Sequence, residues 1–369
     1  MRRQTKFSIF TLALLTALAM AKPGQADITF AVVGGMSGPF SKIGKEFTEG
    51  ARGAAEAINE AGGVLGQPVK FIVRDGKCDA KEAVKIAQEV VEKKIPFVMG
   101  HLCSDASIAA SEIYEKAGII QISPSSTNPK YTDRGFKNVF RTTGRDDMQG
   151  FVIAEHILRS FKTKKIGVAF EDDAYSRGVA EVTRKFLNQG GIQELFFEQL
   201  PKGTTDFKRL FALISKHKVS VLLFPGFPGS IVSYAEQAKK ANIKARLVGG
   251  DSFSGIKFTK ENKRLFDGAQ FSFPPDPAHD RRNKKITKRY KKSGYKPEAF
   301  TFYTYGAVQL WAQAANKAGT LNAEAVAKTL RSRKFKTVLG EVNFDAKGDI
   351  SNPGFVMYFF NKGKRYYLE

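Results

Sequence analysis

Ser104, Ser125 and Thr127 lie in hydroxyl-rich turns after short apolar runs, and Asp251 follows another such run, Arg246–Val248. Hydroxyls beside a helix start offer O–H and N–H donors to a carboxylate. A lone carboxylate such as Asp251 suits an ammonium. A zwitterion with an apolar side chain would match both sets, with Tyr175 and Phe227 as aromatic neighbours. Taken singly, each residue also has a plainer reading, Ser125-Ser126-Thr127 as an ordinary turn and Asp251 as a helix cap.

Other chemistries fit less well. Gly249-Gly250-Asp251-Ser252-Phe253 contains a Gly-Asp-Ser string, but no histidine motif pairs with it as a nucleophile's base. Gly34-Gly35-Met36-Ser37-Gly38-Pro39 lacks the G-x-G-x-x-G spacing of a dinucleotide site, and there is no phosphate-loop lysine motif. The four histidines, His101, His156, His217 and His279, are scattered without ligand spacing, so no metal or other cofactor is expected.

The elements that must position these residues alternate. Strand-like runs at Ile28–Val33, Val69–Arg74, Phe97–Met99 and Ile119–Ile122 are separated by helical patterns near Ile43–Ala61, Ala80–Lys93 and Ser104–Lys116. That is the βαβ signature of a parallel sheet covered by helices. Val139–Arg141 is a strand leading into a turn, after which a second series begins. Its strands are expected at Ile166–Phe170, Glu194–Glu198, Val219–Phe224, Arg246–Val248 and Gln270–Phe273. Its helices are expected near Met148–Phe161, Ser176–Asn188, Asp206–Lys216 and Ser230–Ala241. Two serial units of similar size imply two lobes, and open α/β sheets bind ligands at strand C-terminal ends. The candidate residues all sit at such ends. Pro274-Pro275-Asp276-Pro277 breaks the second series. A basic helix, the amphipathic segment Phe300–Ala318, a short helix Ala323–Arg331 and a β-like tail follow. Helices without strands of their own fit a chain that returns to cover the first sheet.

The N-terminus reads as an address. Arg2, Arg3 and Lys6 precede the apolar run Phe7–Met20, and small residues follow, so residues 1–26 read as a signal peptide cleaved after Ala26, with Ala21 as the alternative. No cysteine stands near either point to carry a lipid. The only cysteines, Cys78 and Cys103, would then meet an oxidising compartment in which they can pair. The formal net charge is +23, and removing residues 1–26 takes away four cations and no acid, leaving +19. Its densest run is Arg281–Lys292, where Ile286 and Tyr290 are spaced for the buried stripe of a helix with a solvated basic face. Without an aromatic platform or nucleic-acid motif, no nucleic-acid partner is expected.

From Asp27 to about Phe360 the chain resembles the periplasmic branched-chain amino-acid binding proteins of ATP-driven importers. The resemblance rests on Ala31-Val32-Val33-Gly34-Gly35-Met36-Ser37-Gly38-Pro39, Cys78-Asp79, Gly100-His101-Leu102-Cys103-Ser104, Arg141-Thr142-Thr143-Gly144 and Phe344-Asp345-Ala346-Lys347-Gly348-Asp349. It implies an α/β type I periplasmic binding protein fold of two lobes, each a mainly parallel sheet flanked by helices. Three hinge crossovers are implied near Thr142–Gly144, Phe273–Pro277 and Lys347–Asn352. The implied lobes are 27–143 plus 276–348 and 144–275 plus 349–369, closing on ligand as a Venus flytrap. A Cys78–Cys103 disulfide is implied as well.

By the same resemblance Ser104, Ser125 and Thr127 hold the ligand carboxylate and part of the ammonium. Tyr175 and Asp251 complete the site from the second lobe, and Leu102, Phe227 and Phe300 line the side-chain pocket. The implied protein is a periplasmic monomer without enzymatic activity. It delivers leucine, isoleucine or valine to an inner-membrane ABC permease. Asp251 stands where the family commonly carries Glu, and Ile43 and Phe227 stand where it often has an aromatic residue and Tyr, so the pocket is more apolar. Another amino acid, an amide or an aromatic acid is the alternative ligand, and sensing the alternative role. The charge also leaves room for an exported polyanion-binding protein.

Overall fold

In the computed structural model, which describes residues 26–351 and 354–368, the apolar runs assemble into two separate sheets. The expected signal peptide lies outside the described residues, except for Ala26. Ile28–Gly34 (β1), Val69–Asp75 (β2), Phe97–Gly100 (β3), Ile120–Ser123 (β4) and Val139–Arg141 (β5) form the first sheet, in the order β2-β1-β3-β4-β5 and all parallel. Both of its faces are covered, which is why β1 is apolar from Phe30 to Val33. Phe30 and Val32 join Phe97 and Met99 on one face, where Phe97 stacks on Trp311 with ring centroids 4.7 Å apart. Ala31 and Val33 join Val98 on the other, against Ala83, Ile86, Ala106 and Ala110.

The helices follow from those faces. Ser41–Glu60 (α1) packs against Ala299–Ala318 (α9), which supplies Trp311 and so covers the first sheet from far along the chain. Ala80–Glu92 (α2) and Ser104–Ala117 (α3) pack together on the opposite face. Asp79 caps α2 by accepting the Glu82 N–H at 2.8 Å.

The second sheet has the order β14-β13-β10-β9-β8-β6-β7. Its strands are Ile166–Glu171 (β6), Phe197–Leu200 (β7), Val221–Leu223 (β8), Arg246–Gly249 (β9), Gln270–Phe273 (β10), Val356–Asn361 (β13) and Lys364–Tyr367 (β14). Five are parallel, and the hairpin β13–β14 adds an antiparallel edge on β10. Asp146–Phe161 (α4) and Ala174–Gln189 (α5) pack together on it. Lys208–His217 (α6) and Pro228–Lys240 (α7) flank it, with Phe207, Phe224 and Tyr234 meeting edge to face between them. The remaining elements are Lys284–Lys292 (α8), Ala323–Ser332 (α10) and a separate two-stranded ribbon of Phe335–Thr337 (β11) and Gly340–Val342 (β12).

The chain passes between sheets three times: after β5, after β10, and between β12 and β13. The fold is therefore the two-lobe type I periplasmic binding architecture with three crossovers. Of the third expected crossover, Asn352 lies outside the described residues.

One expectation needs adjustment, and one strand has no counterpart in the sequence reading. The strand expected at Glu194–Glu198 begins at Phe197, opposite Val168. Glu194 is instead held by Arg184 at 2.5 Å and Asn188 at 2.9 Å, which keeps the approach out of the ladder. β11 carries no periodicity signal in three residues. It exists because Thr337 and Gly340 close a turn, with the Thr337 hydroxyl donating to the Gly340 carbonyl at 3.1 Å. In α8, Tyr290 is buried and Ile286 half-buried while the lysines stay exposed, the solvated basic face expected from their spacing.

Cys78 and Cys103 are bonded, with Cα atoms 5.2 Å apart, and both are buried. The bridge spans a sequence separation of 25 and ties the start of α2 to the start of α3. Closing such a loop stabilises the fold by roughly 3 kcal/mol in the chain-entropy picture. Thiol titration of unreduced, denatured protein is expected to find no free thiol, and two after reduction. Two thiols before reduction would refute the bond.

Candidate ligand-binding site

The turn after β3 is built by sterics and then held by hydroxyls. Gly100 has φ +146°, and a Cβ there would stand 2.3 Å from the Val33 carbonyl oxygen, so only glycine fits. The His101 carbonyl accepts from Ser123 at 2.7 Å, Ser126 at 3.2 Å and Ser107 at 3.3 Å. Burial holds the His101 imidazole neutral, down at about 3, and its Nε2 lies 3.1 Å from the Tyr114 hydroxyl. These bonds fix the turn after β4 to the turn after β3. Ser125 adds to them by donating to the Leu102 carbonyl at 2.7 Å. Ser104 Oγ accepts the Asn128 N–H at 3.2 Å and keeps its own proton free to donate. Cys103, the N-cap of α3, makes no side-chain cap. The first-turn N–H groups of a helix have no intrahelical partner, so this start favours an anion.

The third wall of this turn is Arg141, which is fully buried. It donates to the Ser126 carbonyl at 2.7 Å, the Asn128 carbonyl at 3.1 Å, the Thr132 hydroxyl at 2.6 Å and Asp349 at 2.6 Å. Asp349 arrives on the third crossover, so one guanidinium joins the loop that carries Thr127 to a distant part of the chain.

The second lobe faces this arrangement with the strand ends of β6, β8 and β9. Asp251 begins a short helical turn after β9 and is 4 % exposed. It accepts from Gln149 Nε2 at 3.1 Å, and burial pushes its carboxyl up to about 6. The Tyr175 hydroxyl donates to Ser252 Oγ at 3.1 Å, and Ser252 donates onward to the Gly226 carbonyl at 2.6 Å.

Between the lobes lies a small cavity of about 30 Å³. Leu102, Ser104, Ser125, Ile43 and Phe300 line it from the first lobe, and Tyr175, Phe227, Asp251 and Ser252 from the second. Seven of the eight expected ligand residues thus converge on one space. Thr127 does not reach its wall. That residue is fully buried behind it, with an unpartnered hydroxyl.

The cleft is closed in this structure. Lys42 Nζ donates to the Ser254 carbonyl at 2.5 Å, Asn128 to the Ala174 carbonyl at 2.6 Å, and Lys202 to the Cys78 carbonyl at 3.0 Å. Phe40 meets Phe227 edge to face at 5.4 Å. A space of this size holds only a water or two, so any larger ligand enters when the lobes part.

Sequence reasoning missed Asp146 and Gln149. Asp146 is fully buried with both carboxyl oxygens unpartnered, and burial raises it well above the usual carboxylate range, with Asp251 adding repulsion. Its backbone N–H donates to the Thr127 carbonyl at 2.9 Å. Gln149 stands one helical turn later on α4, and its Oε1 is also unpartnered. In sequence Asp146 reads as an ordinary acid in the first turn of a helix. Its i, i+3 spacing to Gln149, placed just after a crossover, is the signal that both lie on one face of α4, from which Gln149 reaches Asp251. Ser252 was named only within the Gly-Asp-Ser string. Among the described residues no group of histidines, cysteines and carboxylates could hold a metal ion.

Comparison with known proteins agrees with this fold. The profile of a family described as "Periplasmic binding protein" matches residues 27–364. A "Leu/Ile/Val-binding protein homolog 1" of Brucella abortus is 35% identical over 362 residues, covering 98% of this chain and 97% of the relative. A "Leucine-, isoleucine-, valine-, threonine-, and alanine-binding protein" of Pseudomonas aeruginosa is 34% identical, covering 96% and 95%. Among solved structures, the branched-chain amino-acid transporter substrate-binding protein LivJ of Streptococcus pneumoniae, in complex with isoleucine, superposes with a TM-score of 0.82 at 25% identity, covering 92% of this chain and 98% of that one. Both relatives are named as binding proteins, and the solved structure is a transporter's substrate-binding protein. A closed two-lobe cleft, the Cys78–Cys103 brace and a family match over almost every described residue make one statement: the chain belongs to the periplasmic binding protein family.

Proposed function

We propose that this protein captures an amino acid in the cleft, with leucine, isoleucine and valine as the first candidates, and delivers it to the inner-membrane permease of an ABC importer. The single observation that carries this reading is Asp251, a buried carboxyl facing hydroxyls and an uncapped helix start across a small cavity. One end suits an ammonium and the other a carboxylate, and the relatives' names fit an aliphatic side chain between Leu102, Phe227 and Phe300. Ser104 and the α3 start take the carboxylate, with Ser125 bracing them. Asp251 takes the ammonium, with Thr127 and Asp146 behind it. Tyr175 orients Ser252 beside Asp251. The moving bodies are residues 27–143 plus 276–348 and residues 144–275 plus 349–369. The reading of residues 1–26 as a signal peptide supports a mature, lipid-free monomer in the periplasm.

A thermal-shift screen of the mature protein against the common amino acids tests the reading. Leucine, isoleucine or valine is expected to raise the melting temperature by a few degrees, since a ligand that binds only the folded state stabilises it by mass action. Aromatic acids without an ammonium leave Asp251 without a counter-charge and are expected to do nothing. A shift with such an acid, and with no amino acid, would overturn the reading.

A pH dependence follows from the same carboxyl. In the unliganded protein Asp251 is raised to about 6, so it favours the protonated form. Its contribution to stability is therefore present below about pH 4 and is lost as pH rises through about 6. An incoming ammonium needs the ionised form. Affinity is thus expected to fall about tenfold per pH unit below about pH 6, and calorimetry on Asp251→Asn is expected to show that slope gone.

A further inference from the structure

At the end of the second sheet away from the cleft, α7, residues 241–245 and residues 260–269 enclose a surface groove of about 620 Å³. Lys239, Lys244 and Arg246 line it from the α7–β9 side, and Lys260 and Arg264 from the segment that leads into β10. All five are exposed. Among the described residues none of the five has a carboxylate within 4.0 Å. Two acids share the groove, and one of them, Asp267, already accepts the Lys362 N–H at 2.6 Å. Lys362 and Lys364, on the neighbouring β13–β14 turn, add exposed cations beside it.

The densest basic run in the sequence is less free. Around α8, Arg289 pairs with Glu60 at 2.6 Å and Glu56 at 3.2 Å, and Arg282 pairs with Asp280. A groove between α8 and α1 carries those same two glutamates against five cations, of which Arg52 and Arg289 are paired with them. The second-lobe groove also holds five cations and two carboxylates, but among the described residues none of its five cations is paired, and no continuous stretch of sequence announces it.

Cations on opposite sides of a concavity repel one another unless an anion lies between them, and converging fields of one sign draw such an anion in. We propose that this groove binds a linear polyanion with closely spaced phosphate or sulfate groups. A chain can lie between the two cationic sides, whereas a planar lipid surface meets only the rim. The groove sits at the N-terminal ends of β9 and β10, while Asp251 follows the C-terminal end of β9. Occupying it leaves the cleft free to open and close, so the inference does not depend on the proposed ligand.

The test measures binding of a labelled short-chain polyphosphate to the mature protein across a salt series. Binding with a clear salt slope is expected. The triple variant Lys244→Gln, Lys260→Gln, Arg264→Gln is expected to bind at least tenfold more weakly and to lose about two units of slope, since each phosphate neutralised on a flexible strand contributes about 0.7. The control Lys285→Gln, Lys288→Gln, Lys292→Gln removes the same charge from α8 and is expected to behave as wild type. Equal loss in both variants would assign the binding to net charge. Displacement by orthophosphate at the same concentration would assign it to a single-anion site. Stronger binding to anionic vesicles than to polyphosphate would assign it to a membrane. Each of those results, or no binding by wild type, overturns the proposal. Amino-acid affinity measured on both variants is expected to be unchanged, which separates this test from the fate of the cleft reading.

Discussion

Replacing Asp251 with alanine is expected to abolish amino-acid binding while leaving the fold intact. The ligand ammonium loses its hydration when the cleft closes, and Asp251 is the buried carboxyl on the cavity wall. Truncating one member of a buried charge pair costs about 2–5 kcal/mol, much of it the penalty of leaving the other charge unpaired. That is about 30-fold to several thousand-fold in affinity. Calorimetry with the amino acid found by the screen reads the loss directly, and unchanged affinity would remove Asp251 from the site. Stability gives a second readout. Because burial raises Asp251, its ionised form costs the unliganded fold free energy at pH 7. Asp251→Asn is therefore expected to melt no lower than wild type without ligand. A residue held mainly for structure would do the opposite, so the two measurements distinguish binding from packing.

Apolar runs and turn residues made much of this architecture legible. Continuous apolar strands such as β1 and β3 announce a parallel sheet buried on both faces, and the hydroxyl turns fall at their C-terminal ends. What no local pattern carries is contact at long range. Trp311 stacks on Phe97 across more than half the chain, and Arg141 meets Asp349 over a sequence separation of 208. The strings Arg141–Gly144 and Phe344–Asp349 carried the resemblance without a stated reason. The structure supplies it, because each is half of one buried knot. Asp146 was hidden for the opposite cause: an acid in a first helical turn is so common a dipole partner that its burial leaves no trace in sequence. The groove on the second lobe is invisible in the same way, since its cations come from two separated segments, with Lys362 and Lys364 beside it from a third.

That knot supports the largest stability effect expected here. Asp349 is 5 % exposed, and it binds Arg141 at 2.6 Å, Arg145 at 2.8 Å and the Thr132 hydroxyl at 2.9 Å. Its own loop is preset by Asp345, whose carboxylate accepts the N–H groups of Lys347, Gly348 and Asp349, each at 2.9 Å. Gly348, with φ +97°, leaves room for the Val139 carbonyl, which a Cβ would meet at 2.0 Å. Asp349→Ala strands a fully buried guanidinium, and breaking a buried pair from one side costs about 3–5 kcal/mol. Urea unfolding of the mature protein is expected to show that loss, with Asp349→Asn milder because it keeps an acceptor. Lys347→Ala removes an exposed pair with Asp133, 2.7 Å apart, and is expected to cost under about 1 kcal/mol. A loss that small for Asp349→Ala would mean the knot does not hold the crossover. The effect also reaches the site, because Arg141 grips the carbonyls on both sides of Thr127. With Asp349 gone, the turn that carries Ser125 loosens, and amino-acid affinity is expected to fall even at temperatures where the variant stays folded. The same ion pair thus ties hinge integrity to ligand capture, so affinity and stability should fall together at Asp349, whereas at Asp251 affinity should fall alone.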